Sequence, residues 1–351
     1  MKIYPLFRSL LFRLEPETAH RLTLNAIRFA GSYQLTRALL RRLYEVPGKP
    51  VQAFGLSFPN PIGLAAGYDK DGLGWQGLAC LGFGHIEVGT VTPKAQPGNP
   101  KPRLFRLPHE AALINRLGFP GLGAEFVRTQ LMKPRPKNLI LGLNIGKNKD
   151  TPLQDAAQDY LSLLNSYFGL ADYLSINVSS PNTVGLRQLQ QRKALDALLK
   201  ELVEERHRLS QTTRRKLPIL VKLAPDLSDD QLDDALDVIL ANNLDGVIAT
   251  NTTLSRLGIS SPLAAEQGGL SGKPLFDRSL EMVRKITQRT AGNLPVVGVG
   301  GISDAAGVQK MMDAGAVLVQ IYTGLIYEGP GLVKRILRNL YPKYKSPMPD
   351  D

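Results

Sequence analysis

The chain has 351 residues, 43% hydrophobic and 21% charged, so it can bury the core of one barrel-type domain with an appendage, or of two domains. One cysteine, Cys80, and four scattered histidines, His20, His85, His109 and His207, exclude a disulfide framework, a four-cysteine zinc site and a self-contained iron–sulfur cluster, and give no reason to expect a metal. Of the formal net charge of +12, half lies in residues 1–50, where nine Lys/Arg stand against three Glu, a balance that suits either nucleic acid or anionic lipid.

Residues 1–45 read as amphipathic helices. Leu6, Phe7, Leu10, Leu11 and Leu14 recur at helical spacing beside Arg8 and Arg13. Pro16 suits the first turn of a second helix, whose apolar stripe is Ala19, Leu22, Ala26, Ile27 and Ala30, and Gly31 is expected to end it. A third short basic helix, 34–44, precedes the break at Pro47-Gly48-Lys49-Pro50. The segment is either a helical cap on the main domain or an interfacial pair with its apolar face in lipid. No run of 18 apolar residues occurs, and no apolar signal segment with a small-residue cleavage site opens the chain, so the N-terminus is expected to be retained.

From residue 55 onward, short apolar strands alternate with helical stretches. Strands are expected at 62–65, 85–89, 139–144, 173–178, 219–223, 246–250, 296–299 and 317–322, and helices at 74–81, 194–208, 229–241, 280–290 and 304–313. Eight βα units of this kind predict a (β/α)8 barrel spanning 46–340, with an insertion at 107–119 and a tail at 341–351 whose last residues, 347–351, fray.

Reactive groups of such barrels collect where strands end. Here the first strand runs into Ala66-Gly67-Tyr68-Asp69-Lys70, the second ends in Thr90, the third at Asn144, and the sixth in Thr250-Asn251-Thr252. The fourth spills into Ser179, Ser180, Pro181, Asn182 and Thr183, so that Asn177 and Asn182 bracket a serine lacking the glycine context of a hydrolase elbow. Lys222 lies within the apolar fifth strand; it either pairs with an acid structurally or places a cation in a dry barrel mouth. Gly300-Gly301 and Tyr322-Thr323-Gly324 follow the last two strands, where barrels often hold phosphate on backbone N–H groups; the plainer reading is a tight turn. Gly268-Gly269-Leu270-Ser271-Gly272 reads as a second glycine loop on the same face.

Together, Ala66-Gly67-Tyr68-Asp69-Lys70-Asp71-Gly72, Val88-Gly89-Thr90-Val91-Thr92-Pro93, Asn115-Arg116-Leu117-Gly118-Phe119, Asn177-Val178-Ser179-Ser180-Pro181-Asn182-Thr183, Gly269-Leu270-Ser271-Gly272 and Gly298-Val299-Gly300-Gly301 resemble dihydroorotate dehydrogenase of the class 2, quinone-dependent, membrane-associated type. The resemblance implies FMN, with Ala66, Gly67, Tyr68, Asp69, Lys70, Thr90, Asn144, Asn177, Lys222 and Thr250 around the flavin and Gly272, Gly301, Tyr322 and Thr323 near its phosphate. It implies dihydroorotate and orotate bound by Lys70, Asn115, Arg116, Leu117, Gly118, Phe119, Asn177, Asn182, Asn251 and Thr252. Ser180 aligns with the catalytic base, where the cytosolic classes carry cysteine.

Residues 183–187 are expected to form a lid, with Gly185 as the hinge candidate. Val184 stands where relatives often carry proline, Thr323 where serine is frequent, and Tyr68 where leucine is common. The N-terminal helices would form a tunnel for ubiquinone or menaquinone, lined by His20, Arg106 and Tyr322. The basic excess then faces lipid headgroups, at about 1 kcal/mol per cation near the surface. The expectation is a monomeric peripheral protein on the cytoplasmic face of a bacterial inner membrane, with no nucleic-acid partner. The competing readings are a tRNA-dihydrouridine synthase-like flavin barrel, which needs a lid cysteine, and a non-catalytic lipid-binding barrel.

Overall fold

Barrel closure follows from strands that are apolar on both faces, which need helices outside and packed side chains inside. The structure, a computed structural model, describes residues 4–342. Nearly all of the expected tail, including its fraying end, lies outside the described residues.

In chain order the strands are β1 (Val51–Ala53), β2 (Leu56–Phe58), β3 (Ile62–Leu64), β4 (His85–Val91), β5 (Leu104–Leu107), β6 (Ala112–Asn115), β7 (Ile140–Ile145), β8 (Tyr173–Asn177), β9 (Ile219–Leu223), β10 (Gly246–Ala249), β11 (Gly269–Gly272), β12 (Val296–Val299) and β13 (Ala316–Ile321). The eight strands β3, β4, β7, β8, β9, β10, β12 and β13 form a closed parallel barrel, β13 pairing with β3. All eight stand where the sequence placed them, to within about two residues at each end.

The two-residue period decides what enters the barrel. On β9, Ile219, Val221 and Leu223 pack against the helical layer, which turns Leu220 and Lys222 inward. On β4, Ile86 and Val88 face the helices, which leaves His85 and Glu87 inside. The lower end is filled by Tyr173, Leu220, Ile248, Val297 and Leu318 and plugged by the β1–β2 hairpin. Phe54 and Gly55 both take positive φ at its two-residue turn, and Phe58 packs edge-on to His85 at 5.3 Å. The sequence reading contained no such plug.

The expected insertion at 107–119 supplies β6, the centre of a small antiparallel sheet in the order β11-β6-β5. The stretch Gly269–Gly272, read as a loop, is therefore a strand. Its hydrogen bonds come from β6, more than 150 residues away in sequence, and Gly269 admits Thr252 and Pro181 at close range.

The N-terminal helices are α1 (Tyr4–Leu11), α2 (Pro16–Ser32) and α3 (Gln34–Tyr44). Pro16 opens α2 and the Glu15 carboxylate caps it, accepting from the N–H groups of Glu17 and Thr18 at 3.0 and 2.8 Å. The buried face of α2 is Ala19, Leu24 and Gly31, with Ile27 half-buried beside them; Leu22 and Ala26 are exposed, so the stripe is rotated from the one expected. Gly31 is a packing residue rather than the end of the helix. A Cβ there would lie 2.5 Å from the Gly77 nitrogen in the short helix Trp75–Ala79, so the two helices touch backbone to backbone. Helix α1 buries none of its residues, and Leu6, Phe7 and Leu10 are 66%, 62% and 66% exposed. Among the described residues no helix is long and apolar enough to cross a membrane.

Candidate active site

Two clefts meet at the C-terminal end of the barrel. The first is an open cleft of about 960 Å³ and the second, between that end and α1–α2, an open cleft of about 1650 Å³, both volumes counted out into solvent. Lys70 and Tyr322 line both.

At one end of the first cleft, the strand exits bring four carboxamides together. The Asn182 amide donates to Asn115 Oδ1 at 3.1 Å, and the Asn251 amide donates to Ser179 Oγ at 2.9 Å and Asn177 Oδ1 at 3.3 Å. Asn177 in turn donates to Thr90 Oγ1 at 2.8 Å and Asn144 Oδ1 at 3.1 Å. Ser180, 5% exposed, accepts the Asn182 N–H on its Oγ at 3.3 Å. Lys70 closes this end; burial, only partly offset by Asp71, holds its ammonium down at about 8.

The opposite end is built of backbone. Gly272, Gly300, Gly301, Tyr322, Thr323 and Gly324 line it, and Ser271 Oγ lies 2.8 Å from Thr323 Oγ1. Gly300 and Gly301 have φ of 132° and 68°, and a Cβ on Gly301 would meet the Phe276 Cβ at 2.6 Å. Only glycine brings the chain this close to both the helix beneath and a ligand above. Between the two ends, the floor holds Lys222 and Gln320, and the Gln320 Oε1 is buried without a partner. A ligand with a phosphate at one end and a flat hydrogen-bonding ring over this floor fits these donors and acceptors, as FMN would.

The second cleft is lined by Leu11, Phe12, His20, Arg106, Tyr322 and Ile326, among others. His20 stacks edge-on to Tyr68 at 5.1 Å, and Tyr68 to Tyr322 at 5.8 Å, a string of rings leading to the first cleft. Burial and the nearby Lys70 push His20 down to about 4, so its ring is neutral at ordinary pH. Arg106 donates to the carbonyls of Phe12 and Leu14 at 3.1 and 2.9 Å and lies 4.7 Å from the Phe12 ring, stapling the end of α1 to β5.

The family model described as dihydroorotate dehydrogenase matches residues 50–343. A dihydroorotate dehydrogenase (quinone) of Paraburkholderia phymatum is 52% identical over 94% of this chain and 95% of its own length. That of Paraburkholderia xenovorans is 49% identical over 96% and 98%. Ligand-free dihydroorotate dehydrogenase from Eimeria tenella superposes with a TM-score of 0.84 at 38% identity, covering 94% of this chain and 96% of that one.

The chain belongs to the dihydroorotate dehydrogenase family.

Within that family frame, most residues singled out in the sequence do meet. Ala66, Gly67, Lys70, Thr90, Asn115, Leu117, Gly118, Phe119, Asn177, Ser180, Asn182, Lys222, Thr250, Asn251, Thr252, Gly272, Gly301, Tyr322 and Thr323 all line the first cleft, and His20 and Arg106 the second. Four do not line the first cleft. Arg116, expected at substrate, pairs with Glu266 at 2.5 Å and lies over the Phe105 ring. Asp69 spends its carboxylate on the N–H groups of Leu73 and Gly74, both at 2.8 Å, bracing the loop after β3. Tyr68 turns toward the second cleft, and Asn144 lies fully buried beneath the floor.

The expected lid residue Gly185 has φ of 71° at the start of a 3₁₀ turn, Leu186–Gln190, and Val184 beside it is 87% exposed. Arg187 fastens the base of this loop, donating to the carbonyls of Ser179 and Thr252, both at 3.0 Å, and to Asp226 at 2.9 Å. Cys80 is buried and lines neither cleft, so it offers no lid thiol. The sequence reading missed Glu87 and Gln320, the polar residues of β4 and β13 that turn inward. The signal was available: each, like Lys222, interrupts an apolar strand.

Proposed function

We propose that this chain oxidises (S)-dihydroorotate to orotate in pyrimidine biosynthesis, using FMN in the first cleft and passing electrons to a membrane quinone, ubiquinone or menaquinone, through the second. The observation that carries this reading is the meeting, in one cleft, of a buried serine, four carboxamides and a lysine at one end with a glycine cradle at the other. FMN, when bound, supplies the acceptor for the hydride that leaves C6 of the substrate.

The protein's own groups account for the rest. Asn115, Asn177, Asn182 and Asn251 each offer a donor and an acceptor, matching the amide and carbonyl edges of the dihydropyrimidine ring. Lys70 meets its carboxylate as a point charge. Ser180 Oγ takes the C5 proton as its own hydroxyl proton passes on to solvent. A neutral hydroxyl is a weak base, so the step needs the dry surroundings that the 183–187 loop provides when it lies over the serine. Lys222 places positive charge at the cleft floor, where negative charge develops as the substrate is oxidised. Gly272, Gly301 and Thr323 offer backbone N–H and hydroxyl groups to the phosphate.

The apolar face of α1 and the basic residues of α1–α3 support attachment to an anionic lipid surface, and we read the protein as a monomeric, peripheral one at the cytoplasmic face of a bacterial inner membrane. The purified protein should be yellow, and its flavin absorbance should bleach anaerobically on adding dihydroorotate and return on adding quinone. A colourless protein that does not take up FMN would sink the reading.

A further inference from the structure

Beneath the cleft floor lies a buried carboxylate that the mechanism above does not use. Glu87 is fully buried inside the barrel and receives side chains from four other strands. Asn144 Nδ2 of β7 donates to it at 2.9 Å, Tyr173 OH of β8 at 3.0 Å and Gln320 Nε2 of β13 at 2.8 Å, and Lys222 Nζ of β9 stands 3.9 Å away. Every neighbour presents a donor, so both carboxylate oxygens serve as acceptors. A buried charge of this kind persists only when paired and hydrogen-bonded. Lys222, which also lines the cleft, therefore stands between an anion below and the ligand above.

We propose that Glu87 is a positioning residue: it is the counter-anion that keeps Lys222 charged and aimed at the cleft, and the pair sets the reduction potential of the bound flavin. The inference rests on the reading that FMN occupies the cleft. Burial acts to lower the Lys222 pKa and Glu87 acts to raise it, so the two must be considered together. With both present, the floor carries no net charge. Without the carboxylate, it carries an uncompensated cation at low pH and a neutral amine at higher pH.

The other titratable groups facing the pair do not mimic this. His85, one layer below on β4, is held by burial at about 3. Burial and the Glu87 charge raise Tyr173 well above its ordinary range, and burial pushes Tyr322 up to about 12. Lys70, across the cleft at about 8, is common to wild type and variant and cancels in their difference.

The test is a spectroelectrochemical titration of bound FMN from pH 6 to 9 in the holoenzyme, comparing wild type with Glu87→Gln. The variant should hold its flavin at a higher potential at the acid end, shifting the reduced-to-oxidised ratio at fixed poise by about tenfold or more. The difference should collapse as pH rises, a step that wild type lacks. Glu87→Asp should restore the wild-type profile in part, and Lys222→Met in the Glu87→Gln background should abolish the step. If Glu87→Gln alone loses FMN or stability, the double variant, which leaves no charge at the floor, should recover the lost resistance to urea. An unchanged potential and pH profile in a flavin-replete Glu87→Gln protein, or a double variant as damaged as the single one, would overturn the role of Glu87 and leave the assignment of the cleft standing. Failure of wild type itself to hold FMN would instead remove the cleft assignment, and this inference with it.

Discussion

Ser180 stands at the mouth of the barrel, with its hydroxyl oxygen already holding the Asn182 N–H. In the proposed reaction this serine acts by proton transfer and has no part in holding the phosphate at the far end of the cleft. Ser180→Ala should therefore slow flavin reduction by dihydroorotate by about 10²–10⁴-fold while FMN content stays unchanged, as rapid-mixing absorbance would record. Lys70 makes a separable prediction. Its ammonium is cationic below about 8 and neutral above, so the KM for dihydroorotate should rise with pH beyond that point, by about tenfold per unit. Lys70→Arg keeps its charge across this range and should flatten the profile. At this scale the sequence named the right residue types, but not every destination. Arg116 shares a motif with Asn115, yet Glu266 and the Phe105 ring hold it on the far side of β6.

Helices α1 and α2 share one amphipathic pattern and use it differently. In α2 the apolar side meets Trp75–Ala79, where Gly31 and Gly77 allow backbone contact, whereas α1 is tethered at its edge by Tyr4 to the Ile326 carbonyl at 2.6 Å and by Arg8 to the Tyr327 carbonyl at 2.7 Å. Its outer face of Leu6, Phe7 and Leu10 is left uncovered. Replacing all three by glutamate removes two leucines and a phenylalanine, each worth about 1.5–3 kcal/mol when buried in an apolar phase. Binding to anionic liposomes should fall by about a hundredfold or more in a sedimentation assay. Flavin reduction by dihydroorotate in solution should be unaffected, because none of the three lines the first cleft. Periodicity alone shows that a helix has an apolar side. What covers that side depends on glycine contacts made far along the chain, and for this reason the expected stripe of α2 was rotated.

At the scale of the whole molecule, burial favours the uncharged forms of His85, His20 and Asp69, with opposite consequences for stability. Neither ring nitrogen of His85 has a partner, and burial holds the ring at about 3, below its ordinary 6.5. Between these values the unfolded chain binds more protons than the folded one, so stability falls as pH drops through the window, by about 1.4 kcal/mol per unit for this residue. His20 adds to the fall down to about 4, while Asp69, raised by burial to about 6, opposes it between there and 3.8. His85→Leu should flatten the urea-unfolding stability measured from pH 6.5 to 4.5, whatever its effect on absolute stability. An unchanged slope would show that the histidine is protonated in the native protein.

The sequence by itself determined the eight strands, their alternation with helices and the motif residues at their ends, because strand and turn preferences act over a few neighbours. It also marked Lys222 as a cation within an apolar strand, but that Lys222, Glu87 and Gln320 face inward was decided by barrel closure, because strands apolar on both faces do not say which side is inside. Which of them touch was decided only by closure of the barrel. Gln320 and Glu87 are 233 residues apart and meet at 2.8 Å. Gly269–Gly272 became a strand only when β6 arrived beside it. Local periodicity fixes the direction a side chain points, whereas its partner is set by the register of strands that pair from distant parts of the chain.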